Sequence, residues 1–295
     1  MMGKFKKHLV RNIFFTISAI AIVTALVSLI YFYDLILFLI QPPRLASTPK
    51  RADRAVILVV EDNGYQKNNL AVETWYRNNK HSADVLLELA MKKPFGYFKN
   101  QNSIGEIIDN DGEDFMINAL KYEAFDYGKI VPLKDQAASY ENFKKTLKDL
   151  NDQGYIADLV LSLHGNTHQI CFYKECVEVE RIVTDLKNAN AGIGFVYQTV
   201  CDGSGTMNAW IAAGAKAAAG SEKLNTVVVV APSRFLKEIR EGKTYRESVI
   251  SAYNYELDLY KRLSVFSFGK NYANTVDAGS SKMLFAGNPD FAPFK

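Results

Sequence analysis

The chain has 295 residues, 48% of them hydrophobic and 23% charged, with 18 Phe, 16 Tyr and a net charge of +3. That balance belongs to a packed globular protein and excludes a disordered or strongly polyionic one. The basic residues are scattered and not interleaved with aromatics, so nucleic acid is not an expected partner.

Lys4, Lys6, Lys7 and Arg11 stand in the basic segment 1–11, ahead of an apolar stretch over 12–40 interrupted only by Asp34. A bilayer core needs about 20 apolar residues, so this stretch reads as a single transmembrane anchor. A cleaved signal peptide has a shorter apolar region, about 7–15 residues, followed by a small-residue cleavage site, and Ala46-Ser-Thr lies too far on. The basic cluster nearest the membrane is the leading one, which places the amino terminus in the cytoplasm and the rest of the chain outside it. Tyr31, Phe32 and Tyr33 suit the interfacial aromatic belt. A Pro-broken polar linker over 41–53 then leads to one α/β domain over 54–295.

Arg54–Val60 is a β-branched run of the kind found in buried parallel strands, ending at Glu61-Asp-Asn-Gly64. Helical spacing covers Leu70–Tyr76 and Ser82–Met91, with Ser82 as the cap of the second. Asp109-Asn-Asp-Gly-Glu-Asp114 resembles half a calcium loop but lacks its register and closing Glu, so it reads as a solvated turn and helix start, with no metal. Lys129–Leu133 reads as a strand, and Tyr140–Asn151 as a helix presenting Phe143, Leu147 and Leu150 on one face. Tyr155–Leu163 is a strand running into His164, followed by polar turns and a helix near Val179–Lys187. Gly194–Val200 is a strand running into Cys201, and Met207–Ala213 has helix propensity.

Propensity alone extends that last helix through Ala219, whereas Gly214 and Gly220-Ser221 permit a short strand instead. Thr226–Val230 is a further strand candidate, and Ser233–Arg240 and Tyr245–Lys261 read as helices. The alternation of strands and helices predicts a mostly parallel sheet with helices on both faces.

In such a sheet, ligands bind at the carboxyl ends of the strands, where both His164 and Cys201 fall. A cysteine nucleophile needs a base or cation that favours its thiolate, and His164 is a partner of the right kind. Gly165 and Gly203 keep side chains away from backbone N–H groups that must approach a developing oxyanion. Of the three cysteines, Cys171 and Cys176 flank four residues that a hairpin would allow to close as a disulfide, which leaves Cys201 over.

An apolar strand ending in His164-Gly165, a second ending in Cys201, a helix, and then Gly214-Ala-Lys-Ala-Ala-Ala-Gly-Ser221 together resemble the caspase-like cysteine peptidases, the group that includes gingipain, clostripain, legumain and the caspases. The likeness covers roughly Ala55 to Asn254, and its later part includes Arg240-Glu-Gly-Lys-Thr-Tyr245. The resemblance implies a caspase-like three-layer sandwich, with Cys201 as nucleophile and His164 as general base and acid. It also implies an oxyanion hole from the backbone N–H groups of Gly165 and Cys201, a peptide or protein substrate, and no cofactor. Asp202 departs from the small or polar residue that several members carry after the nucleophile. A carboxylate there either opposes the thiolate or recognises a basic substrate residue, and Asp202 and Glu222 are the candidates for substrate binding.

Other readings attach to the same residues. His164, His168, Cys171 and Cys176 supply four potential zinc ligands within a short loop, although the spacing matches no common zinc module. A caspase-like domain that no longer cleaves would serve as a membrane-anchored binding or scaffolding module. Ser204 does not make a serine hydrolase, because G-x-S-x-G needs glycine where Asp202 and Thr206 stand.

Overall fold

A computed structural model describes residues 50–61, 80, 104–223, 225, 230–263 and 281–295. The expected anchor, the first part of the linker, the helices over Leu70–Tyr76 and Ser82–Met91, and all but the last residue of the strand candidate Thr226–Val230 lie outside the described residues. Among the described residues no helix is long and apolar enough to cross a membrane.

The elements follow in chain order. They are β1 (Arg51–Glu61), α1 (Ile104–Glu123), β2 (Tyr127–Lys134), α2 (Tyr140–Asp152), β3 (Ile156–Gly165), β4 (Gln169–Phe172), β5 (Glu175–Glu178), α3 (Val179–Asn188), β6 (Ile193–Gln198), α4 (Met207–Ala212), β7 (Ala217–Ser221), α5 (Ala231–Arg240), α6 (Tyr245–Leu263) and β8 (Met283–Gly287). The main sheet runs β2-β1-β3-β6-β7-β8. All its neighbours are parallel except β7 and β8. β4 and β5 form an antiparallel hairpin added to the carboxyl end of β3.

Alternation along the strands divides the core in two. Ala55, Ile57, Val59, Leu159, Leu161 and Val196 face one layer, where they meet Phe143, Leu147 and Leu150 of α2, Ile182 and Leu186 of α3, and Trp210 of α4. Val56, Leu58, Val60, Val160, Phe195 and Tyr197 face the other, against Leu120 of α1, Phe235 and Ile239 of α5, and Tyr245 and Val249 of α6. Both faces of the central strands are therefore covered, which is why these strands read as unbroken apolar runs. The result is an α/β domain of three layers, helices on either side of a mixed, mostly parallel sheet. Each fully buried apolar side chain contributes about 1.5–3 kcal/mol, so these two clusters dominate the stability.

α2 illustrates how the sequence starts a helix. Ser139 is extended and its hydroxyl accepts the Asn142 N–H, while Tyr140, Phe143, Leu147 and Leu150 recur at three- and four-residue steps to form the buried face. One segment differs from expectation, one settles an alternative that the sequence leaves open, and one is new. Asp109–Asp114 lies inside α1 rather than in a turn, as helix spans Ile104–Glu123 without a break. Ala217–Ser221 is a strand, because its small side chains fit between the two layers where helix propensity has no say. β8, beyond the last expected helix, closes the sheet edge by pairing antiparallel with β7.

At the amino end of the central strands, Arg54 of β1 forms a two-pronged ion pair with Asp158 of β3, Nε to Oδ2 at 2.8 Å, with both side chains buried. An extra residue in β6 at this level breaks the register with β3. A Cβ on Gly194 there would strike both the Arg54 guanidinium and the Asp158 carboxylate, so the bulge needs glycine to make room for the pair. Burial works against the charge on Arg54, but Asp158 outweighs it and raises the guanidinium pKa further.

Candidate functional site

β3 and β6 are direct neighbours, and Leu161 of β3 pairs with Gln198 of β6. Past that pair the backbone contact continues, with the Thr199 N–H donating to the Leu161 carbonyl at 2.8 Å and the Thr199 hydroxyl donating to Ser162 Oγ at 3.2 Å. Three residues on from Leu161 stands His164, and three on from Gln198 stands Cys201. The two segments stay in contact beyond this point. A Cβ on Gly165 would lie 2.6 Å from Val200 Cγ1, and one on Gly205 would lie 2.9 Å from Thr167 Cα. The structure thus brings the His164 arm and the Cys201 turn to one place on the carboxyl edge of the sheet.

Cys201 carries the free thiol of the described chain and is half-buried, while His164 is exposed. Cys201 opens a tight turn that continues as a 3-10 turn over Gly203–Thr206 and then α4. Asp202 adopts the left-handed conformation, φ 51°, ψ 24°, which Asp tolerates better than most residues. Around it, the Asp202 N–H donates to the Lys223 carbonyl at 2.8 Å, Gly203 N–H to Val200, and Gly205 N–H to Asp202. Among the described residues none accepts the Cys201 N–H.

A buried polar network holds this turn from below. Gln198 Nε2 donates to the Gly203 carbonyl and to Thr206 Oγ1, both at 2.8 Å, and Gln198 Oε1 accepts from the Trp210 indole at 3.2 Å. Gln198 and Thr206 are fully buried, and an amide there without partners would cost about 1–3 kcal/mol, so its hydrogen bonds fix the turn to the end of β6. From the side, the Ser221 hydroxyl lies 2.8 Å from the carbonyls of both Val200 and Lys223. A Cβ on Gly220 would lie 2.4 Å from the Gly203 carbonyl carbon, so β7 passes against the turn too closely for any other residue.

The His164 arm is braced differently. After Gly165, Asn166 Oδ1 accepts the His168 and Gln169 N–H groups at 2.8 and 3.0 Å, turning the chain back into β4. The β4–β5 hairpin buries Ile170, Phe172 and Val177 in the core layer that α2 and α3 cover, and Phe172 lies 5.2 and 5.3 Å from the rings of Tyr140 and Phe143. Cys171 and Cys176 face each other across the hairpin and are joined by a disulfide. That bond occupies both thiols of the alternative zinc set, leaving His164 and His168 without sulfur ligands.

The substrate-binding candidates lie on adjoining loops. Asp202 is half-buried, and Glu222 is exposed in the turn whose Lys223 carbonyl receives the Asp202 N–H. The sequence gives Gln198 and Trp210 no mention, and it names Thr206 and Ser221 without assigning either a part in supporting the turn. The available signal was a glutamine closing an otherwise apolar strand, since a buried amide must find partners. Comparison with protein-family models finds no match to this chain, and comparison with curated protein sequences finds none either.

Proposed function

We propose that this protein is a cysteine endopeptidase of caspase-like type, with Cys201 as nucleophile and His164 as its base. The observation that carries the reading is the placement of His164 at the carboxyl end of β3 and of the free Cys201 thiol just past the end of β6, each three residues on in sequence from the Leu161–Gln198 pair that joins these neighbouring parallel strands. The three-layer α/β architecture supports it, because residues at the carboxyl edge of such a sheet reach a ligand.

In this mechanism the Cys201 thiol gives its proton to His164, and the thiolate attacks the carbonyl carbon of the scissile peptide bond. The resulting oxyanion accepts hydrogen bonds from the backbone N–H groups of Gly165 and Cys201. His164 then returns its proton to the departing amine, which leaves a thioester on Cys201. Water, deprotonated by His164, adds to that thioester and releases the carboxylate product and the thiol. Asp202 and Glu222, on adjoining loops beside Cys201, favour a basic residue in the substrate.

The same reading places the domain outside the cytoplasm, tethered by the 12–40 anchor. The Cys171–Cys176 disulfide supports this side of the membrane, because such bonds persist in oxidising compartments. Incubating the full chain with a peptide library tests the function. Cleavage should occur with the wild type and vanish in Cys201→Ala, and activity surviving in that variant would reject Cys201 as nucleophile. Protease treatment of sealed vesicles carrying the full chain tests the orientation, since a digested domain on the cytoplasmic side would overturn it.

A further inference from the structure

His164, Cys171 and Cys176 form one row across three strands. His164 pairs with Cys171 between β3 and β4, and Cys171 pairs with Cys176 between β4 and β5. Directly opposed residues point to the same face with Cβ atoms about 4.5–5.5 Å apart. The disulfide therefore lies on the same outer face as the imidazole and immediately beside it. Ile170, Phe172 and Val177 project the other way, into the core. The hairpin is thus fastened by packing on its inner face and by a covalent bond on its outer face, next to the base.

We propose that the Cys171–Cys176 bridge is the positioning element of His164, and that the site consequently works only while this bridge is closed and Cys201 is reduced. The inference rests on the reading of Cys201 and His164 as nucleophile and base. Core packing sets where the hairpin lies, while the bridge limits shear and splay between β4 and β5 and so limits the displacement of the strand that pairs with His164. A shift of about 1 Å at a catalytic group can cost up to about 100-fold in rate, so a loosened hairpin reaches the chemistry without unfolding the domain.

Cys176 is exposed, so a small thiol can reach the bridge from solvent. Opening it consumes two electrons: two reductant thiols leave as one disulfide, and Cys171 and Cys176 each end as a thiol. The two sulfur requirements of the site are therefore opposed, since reductant restores an oxidised Cys201 and dismantles the support of His164.

The test follows the rate at which iodoacetamide alkylates Cys201 in the full chain, read on the Cys201 peptide by mass spectrometry as a function of pH. His164→Ala should slow this rate at neutral pH and move its rise to the pH of an ordinary thiol. The C171S/C176S variant should shift the profile in the same direction, with about a 10-fold slower rate at neutral pH. The C171V/C176V variant, which keeps strand-compatible apolar volume, should do the same with circular dichroism unchanged. A rate unchanged in His164→Ala would reject the dyad itself. A rate slowed in His164→Ala but equal to wild type in both bridge variants would reject the positioning role alone. Reductant titration of wild-type activity should rise and then fall, and the falling limb should be missing from C171S/C176S; a falling limb that persists there would also overturn the proposal.

Discussion

The two ends of the β3–β6 neighbourhood are built on opposite rules. At the amino end, Arg54 and Asp158 are buried, fully paired, and enclosed by a bulge that needs glycine at 194. At the carboxyl end, His164 is exposed and Cys201 half-buried, and precision comes from groups around them: Gln198 below the turn, Gly220 and Ser221 beside it, and the hairpin under His164. A charge pair satisfied within the fold has nothing left to offer a substrate. At the carboxyl end the two side chains stay open to solvent to different degrees, and the backbone that carries them is set by neighbours that are themselves satisfied.

Breaking the buried pair gives the largest expected effect. Asp158→Ala leaves the Arg54 guanidinium buried without its counter-charge, which should cost about 3–5 kcal/mol of stability. Urea unfolding of the full chain checks this, and Arg54→Leu/Asp158→Leu should recover much of the loss by removing both charges. A single variant as stable as wild type would show that the amino end is not the rigid reference it is taken to be. At temperatures where Asp158→Ala remains folded, Cys201 alkylation should match wild type, because the pair lies at the far end of the strands.

At the carboxyl end the corresponding change is Gln198→Leu. It removes the partner of the Trp210 indole, Thr206 and the Gly203 carbonyl at once, so a loss of about 1–3 kcal/mol is expected. Unlike Asp158→Ala, it should also slow Cys201 alkylation in the folded protein, since the turn that carries Cys201 is no longer tied to β6. Stability lost with alkylation unchanged would make Gln198 a core residue and erase the distinction between the two ends.

How much of this was legible in the sequence follows from the range of the interactions involved. The runs ending at His164 and Cys201 were readable because a strand covered on both faces must be apolar along its length, so the residue that ends the run stands out. At Ala217–Ser221 the sequence offers the strand but cannot choose it, because local propensity favours helix for alanine, whereas the actual constraint is the approach of Gly220 to the Gly203 backbone. The strand Met283–Gly287 was missed for a related reason: its five residues gain their identity only from pairing with β7. α1 was hidden by Asp109-Asn-Asp-Gly, whose composition argues for a turn when read without the flanking helix. The Gln198 network depends on Trp210 and Thr206 folding back beneath the turn, which no periodicity reports.

A smaller effect comes from Glu238 in the helical layer. Burial pushes its pKa up, but Lys243, Arg234 and Ser251 outweigh this and hold it below the ordinary value. A folded pKa lower than the unfolded one, about 4.3 for Glu, means a contribution that is complete above that unfolded value and is lost as pH falls through the folded one. Glu238→Gln should therefore flatten the stability profile below about pH 4.3. A wild-type and variant difference that stays constant through that window would remove Glu238 as its source. Neither end of the strands should respond, as this cluster is built from α5, the loop that carries Lys243, and α6.

The smallest change tests the middle ground between the two ends. Tyr245 of α6 is fully buried, and its hydroxyl donates to the Val196 carbonyl in β6 at 2.6 Å. Tyr245→Phe keeps the ring among Phe195, Phe235 and Phe291 and deletes the hydroxyl, with its hydrogen bond to Val196 and its backbone contact at Ala219, for an expected loss of about 1 kcal/mol. Val196 lies midway along β6, between the level of Arg54–Asp158 and the Cys201 turn. If the ends are held independently, urea unfolding should register the loss while the alkylation rate of Cys201 stays at the wild-type value. A slower alkylation rate in this variant would mean that β6 transmits a shift from its middle to the turn, and that the Gln198 network transmits displacement of the strand instead of shielding Cys201 from it.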